Sequence, residues 1–188
     1  MIRSAALLAA LLGACGSPST APVAAPAPAS GAEPQPAIDG QPYADPHGFA
    51  FSYPASLILL AEPDPLPERR PPLVHRVRLL DRELAAGDTA DLEPPQFSVE
   101  VYAGAEGPLR PWLQAHGRIP AGSAVEALEV PGAREALRVR DPRLLAPNEF
   151  YWYVAGRHIL LVVALGSEGE AVHETFSLLG GETGGRDP

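Results

Sequence analysis

Residues 150–165 read FYWYVAGRHILLVVAL. From 159 to 165 every residue is apolar, so the segment has no polar face for an amphipathic helix, and it is far short of the roughly 20 residues a membrane span needs. A strand covered on both sheet faces fits such a run. Ala155-Gly156 interrupts the apolar pattern as a turn would, which makes 150–154 the antiparallel partner of the segment that follows. The stretch therefore predicts a hairpin whose second arm lies in the middle of a sheet, with covering layers on both sides.

Working outward, other segments alternate with a period of two. Phe49, Phe51 and Tyr53 alternate with Ala50 and Ser52. Val77 and Leu79 alternate with Arg76 and Arg78, and Phe97, Val99 and Val101 with Ser98 and Glu100. Leu137 and Val139 alternate with Arg138 and Arg140. Each reads as a strand with one buried face, and Pro131-Gly132 marks a further turn. Two helices can serve as covers. Between Gly107 and Gly117, Pro108 suits the first helical position and Leu109, Trp112, Leu113 and His116 share a face. The second starts at Ser167 with Glu170 at the capping-box spacing, and buries Ala171, Val172, Thr175, Phe176 and Leu179 before Gly180-Gly181 stops it. The expected fold is α+β: an antiparallel sheet of about six strands flanked by helices, over residues 43–180. Phe51, Val99, Leu161 and Phe176 are expected in its core, with 61–72 read as a linker and 82–96 as an acidic loop.

The chain ahead of this domain is of another kind. Arg3 is the only charge before Cys15, which is the single cysteine of the 188 residues and follows the apolar run AALLAALL. One thiol excludes an internal disulfide and the usual structural zinc spacings. A positive start followed by a short apolar run has the proportions of a secretory signal. Leu12-Gly13-Ala14-Cys15 resembles the lipobox of bacterial lipoproteins, a family in which the cysteine sulfur receives a diacylglycerol after which the leader is cut away. The resemblance implies a signal peptide at 1–14 and lipidation of Cys15. Residues 15–42, rich in proline and alanine, read as a disordered tether, and 181–188 as a disordered tail. Gly16 stands where enterobacterial inner-membrane retention uses aspartate, so the resemblance favours the outer membrane in cells that have one.

The order of elements also carries a resemblance. YADPHGFAFSYP, the FSVEVYAG strand running into PLRPWLQAH, the VPGAREALRV hairpin, FYWYVAGRHILLVVAL and the closing EAVHETFSLL resemble the PsbP-like domains of the Mog1/PsbP fold. That family implies an antiparallel sheet flanked by helices and accessory or scaffolding work beside a membrane complex, with catalysis not expected.

Charge and motifs point the same way. All 14 basic residues are arginine, and removing the leader with Arg3 leaves 13 against 23 acidic residues, a formal charge of −10. Nucleic acid is not an expected partner of so acidic a domain. Ser167, in Leu-Gly-Ser-Glu-Gly, nearly copies a nucleophile elbow but lacks its first glycine, and a capping role accounts for it. Asp45 and His47, with Tyr43, offer a weak metal or polar site, read here as a solvated strand lead-in held by hydrogen bonds; His158 reads as a hydrogen-bonded core residue. Asp88, Asp91 and Glu93 lack the ladder of a calcium loop. Among Arg134, Arg138, Arg140 and Arg143, alternation on one strand presents guanidinium forks to acidic groups, of the protein itself or of a partner.

Taken together, the sequence predicts a lipid-anchored, non-enzymatic domain of the bacterial envelope, without cofactor or assigned metal. It would face the periplasm or cell exterior and touch the bilayer through acylated Cys15 and another envelope protein through its surface. Arg138, Arg140, Tyr151, Trp152 and Tyr153 are the candidate partner surface, since arginine and aromatic side chains carry much interface energy. The alternative is a small-molecule or metal-binding module on the same tether.

Overall fold

The computed structural model describes residues 40–66, 71–86, 94–104 and 106–180. The leader, Cys15 and most of the tether lie outside the described residues, as do Asp88, Asp91, Glu93 and the tail 181–188. The described chain runs β1 (Gln41–Asp45), β2 (Phe49–Tyr53), β3 (Leu57–Leu66), β4 (Leu73–Asp81), α1 (Arg82–Ala85), β5 (Phe97–Ala103), α2 (Leu109–Ala115), β6 (Ala124–Ala127), β7 (Glu135–Arg140), β8 (Glu149–Ala155), β9 (His158–Ala164), α3 (Gly166–Thr175) and β10 (Ser177–Leu178). Seven strands form one antiparallel sheet in the order β3-β4-β5-β9-β8-β7-β6, and β1-β2-β10 form a second, smaller one. The fold is α+β, and β9, apolar from Ile159 onward, is the middle strand of the large sheet.

Both faces of that sheet are covered, and β9 supplies both. Ile159 and Leu161 point toward α2, where they join Tyr102, Leu109, Leu113, Val139 and Trp152. Leu160 and Val162 point the other way, into a core with Phe49, Phe51, Phe97, Val99 and Val172, roofed by the small sheet and α3. Each such side chain contributes about 1.5–3 kcal/mol when fully buried, which is why a strand without a polar face settles at the centre. Of the expected core, Phe51, Val99 and Leu161 are buried, while Phe176 is half-buried at the rim of the small-sheet core.

Several elements differ from their sequence reading. β1 starts at Gln41, inside the stretch read as tether, and pairs residue for residue with β2 from Gln41↔Tyr53 to Asp45↔Phe49. β3 extends to Leu66 through the expected linker, its prolines tolerated because it is an edge strand. Pro108 caps α2 rather than opening it, and the Glu135 carboxylate accepts from the free Leu109 N–H at 2.9 Å. Ser167 is no cap either: α3 begins at Gly166 (φ +69°) with no side-chain cap, and Ser167 is exposed in its first turn. The helix ends at Thr175, because Phe176 is extended and leads into β10, which pairs with β2 and leaves Leu179 exposed. Among the described residues, no helix is long and apolar enough to cross a membrane.

Candidate functional site

At one end of the small-sheet core, the turn leaving β1 gathers polar groups. Gly48 takes φ +89°, a value only glycine adopts readily, and its N–H bonds to the Asp45 carbonyl at 3.0 Å, closing residues 45–48 into a tight turn. The turn bends the chain back over Asp45, whose Oδ1 accepts from the His47 backbone N–H at 2.9 Å and meets the His47 ring Nδ1 at 2.7 Å. The other oxygen, Oδ2, accepts from the Tyr43 hydroxyl at 2.6 Å and meets His75 Nε2 at 2.9 Å. The Asp45 side chain is 0% exposed, against 10% for His75 and 25% for His47.

His75 reaches this site because of an irregularity in β4. Leu73 faces the α2 core, whereas Val77 and Leu79 face the small sheet, although all three are odd-numbered. The pairing of β4 with β5 shifts register between Leu73 and His75. Such a bulge reverses which face the following side chains take, and it aims His75 at Asp45. His158, on the same face of β9 as Leu160, completes the group: its ring meets that of His47 edge-on at 5.1 Å, while the rings of His47 and His75 stack at 4.9 Å.

The electrostatics follow from this enclosure. Burial pushes the Asp45 carboxyl upward, but the hydrogen bonds from Tyr43 and His47 and the neighbouring His75 outweigh it and hold the group below its ordinary range. Burial, with the carboxylate beside it, drives the Tyr43 hydroxyl well above its ordinary value. His158 is lowered, first by burial and then by His47 and Arg157. The strand lead-in is thus held by hydrogen bonds as expected, but the carboxylate at its centre is buried rather than solvated. Among the described residues, Asp45, His47 and His75 are the one group of three such side chains close enough to share an ion, each offering a donor atom within 4.8 Å of the others.

The predicted partner-surface residues are divided by the sheet. Arg138 pairs with Tyr151 across β7 and β8, and Arg140 with Glu149, so these four share one face. Arg138 bridges Glu126 and Glu149, Arg140 bonds Glu149, and the Tyr151 hydroxyl donates to Glu149 at 2.7 Å, so two guanidinium groups meet two carboxylates. Tyr153 lies on the same face but is buried against Phe176 and near His173. Trp152 points to the opposite face, buried between Tyr102 and Trp112. Tyr151 is half-buried and packs on the His173 ring at 4.2 Å. Arg143 forms a bidentate pair with Asp141 at 2.7 and 2.8 Å, and Arg134 reaches the Gly107 carbonyl.

These pairs set an acid limit on the fold. The Arg143 hydrogen bond lowers Asp141 to about 2, and Glu149 lies below its ordinary value because the bonds from Tyr151 and Arg140 outweigh its burial. A carboxylate depressed in the folded state adds stability above its unfolded value, about 4, and loses it as pH falls through the folded one. Thermal melts are therefore expected to lose this contribution as pH falls from about 4 to 2. Asp141→Asn combined with Glu149→Gln should flatten that part of the profile; an unchanged slope would contradict the pairing.

No protein-family model matches this chain, and no curated protein is significantly similar to it in sequence.

Proposed function

We propose that the chain is a lipid-anchored, non-enzymatic binding domain of the bacterial envelope, attached through Cys15 and facing the periplasm or cell exterior. The lipobox-like leader and the Pro/Ala-rich stretch after it support the anchor. The antiparallel sheet flanked by helices is the kind of fold the PsbP-like resemblance implies. The observation that carries the binding reading is the convergence on a fully buried carboxylate of Tyr43, His47 and His75, with His158 at the rim. A fold does not need such a cluster to close a four-residue turn, and burying a charge is costly unless its partners compensate. The groups that meet Asp45 are hydrogen-bond donors and ligands, with no serine, threonine or cysteine hydroxyl or thiol among them. Binding rather than nucleophilic catalysis is the chemistry they suit.

A second reading, docking to another envelope protein, rests on the Arg138, Arg140 and Tyr151 face. There the guanidinium groups are partly exposed and already oriented by Glu126 and Glu149, so a partner would meet fixed forks rather than mobile charges.

Cys15→Ser is expected to move the chain from the membrane fraction to the soluble one, because stable attachment of a tethered domain takes two or more lipid chains. Retention after a high-salt wash would overturn the anchor. Arg138→Glu with Arg140→Glu, in full-length protein, is expected to abolish crosslinks to an envelope partner while the domain still melts cooperatively, at a lower midpoint because Glu126 and Glu149 lose their guanidinium partners. A folded variant that keeps every crosslink would remove this face from the function.

A further inference from the structure

We infer that Asp45, His47 and His75 form a binding site for one divalent transition-metal ion of the zinc and copper type. The inference deepens the binding reading above and rests on it. Two imidazole nitrogens and one carboxylate oxygen are the donor set that borderline ions such as Zn²⁺ and Cu²⁺ prefer, whereas Ca²⁺ and Mg²⁺ select oxygen.

The geometry is close to what such an ion needs. Ligand atoms held about 2.0–2.1 Å from a tetrahedral zinc stand roughly 3.3 Å from one another. Here the His47 and His75 nitrogens lie 2.7 and 2.9 Å from the two Asp45 oxygens, each pair joined by a hydrogen bond. An ion entering between them replaces those contacts after each ring moves outward by about half an ångström. Each imidazole must then present its unprotonated nitrogen to the ion and carry its N–H on the other side of the ring. No bond other than coordination is made, and the ion keeps its charge.

The surroundings suit an ion as well. Ligating carboxylates are generally fixed from behind by further hydrogen bonds, and Asp45 is held in this way by the Tyr43 hydroxyl on Oδ2 and the His47 backbone N–H on Oδ1. The Asp45 side chain has no solvent exposure, so water screens its charge little, while the partly exposed His47 provides the way in. Three protein ligands would leave a tetrahedral ion one further position, and the His158 ring lies 5.1 Å from that of His47.

The experiment uses the full chain carrying Cys15→Ser, which removes its one thiol, stripped of metal with a chelator. Zn²⁺ is titrated in competition with a chromophoric chelator. One ion per chain is expected, with a Kd below about 1 µM. His47→Ala and His75→Ala should each weaken binding at least about tenfold, while His116→Ala, whose ring bonds the Trp112 carbonyl elsewhere, should leave it unchanged. Because His75→Ala removes a buried side chain, a second readout needs no variant: Co²⁺ added to the stripped chain should give the visible absorption of a four- or five-coordinate site. Absence of that absorption, zinc binding no tighter than the chelator background, or equal affinity in the His47→Ala chain would each overturn the inference. If the stripped chain takes no metal while Cys15→Ser still releases it from the membrane and Arg138→Glu with Arg140→Glu still abolishes its crosslinks, the binding-domain reading stands without the metal. Loss of all three would sink both.

Discussion

Gly169→Ala is expected to destabilise the domain by about 3 kcal/mol or more, although alanine inside a helix is ordinarily favoured over glycine by about 1 kcal/mol. The sign reverses because α3 lies directly on the start of the β5 segment. A methyl group at residue 169 would stand 1.9 Å from the Gln96 carbonyl oxygen and 2.9 Å from its carbon, both backbone atoms. That same oxygen already accepts from the Leu165 N–H at 2.7 Å, so neither strand nor helix can yield without breaking the junction. Relief requires α3 to lift, which withdraws Val172 from the core. Gly180→Ala is the matched control, since nothing lies within 4 Å of that site. Urea unfolding of the two variants measures the contrast, and a Gly169→Ala chain as stable as the parent would show that the helix does not sit here.

Phe51→Ala should cost about 3–5 kcal/mol, a large share of the 5–15 kcal/mol typical of a domain. Phe51 is 3% exposed, and its ring lies 5.1 Å from those of both Tyr43 and Phe97, centroid to centroid. Truncation therefore opens a cavity between the small sheet and the large one, where the backbone on both sides is fixed by strand pairing. Phe176→Ala should cost less, because Phe176 is half-buried at the rim and solvent can fill the space left. Denaturant curves with unchanged slope and shifted midpoint would measure both. An equal loss for the two would mean that the roof is tighter than its exposure indicates.

The parts of this fold that could be read from the sequence are those whose signal is local. β9 is apolar from Ile159 onward because both faces are buried there, and β2, β5 and β7 alternate because one face dominates. Helix α2 could be found from the Leu109 and Leu113 spacing. By contrast, β1 (QPYAD) has no hydrophobic alternation and forms because the Gly48 turn and β2 hold it. β6 is largely exposed, and β10 is two residues long, held by pairing rather than by pattern. The capping-box spacing at Ser167 does not mark the start of α3, which begins one residue earlier at Gly166 with φ +69° and no side-chain cap.

The site divides along the same line. Tyr43, Asp45 and His47 lie within five residues and could be singled out together, and their alternation gave a shared face. His75 and His158 arrive from β4 and β9, and His75 depends on a one-residue register shift that the Leu-Val-His sequence does not announce. Asp45 looked solvated because nothing nearby in the sequence shows that two imidazoles will close over it. The aromatic run at 151–153 was legible as a strand, but which of its rings meets solvent depends on α2 and the α3–β10 connection, which take Trp152 and Tyr153 to opposite cores.

The small sheet has a consequence for the order of events during synthesis. β2 is its central strand, and its two partners come from opposite ends of the domain: β1 directly before it, and β10 from residues 177 and 178. The Ser52 N–H also donates to the Thr175 hydroxyl, 123 positions later. A chain made from its amino end therefore has the β1–β2 hairpin first, yet cannot seat it until nearly the last described residue has emerged. Contacts of such long separation close slowly, and until then Phe49 and Phe51 have no roofed core to enter. A nascent domain of this design keeps its small-sheet side open until its final strand arrives.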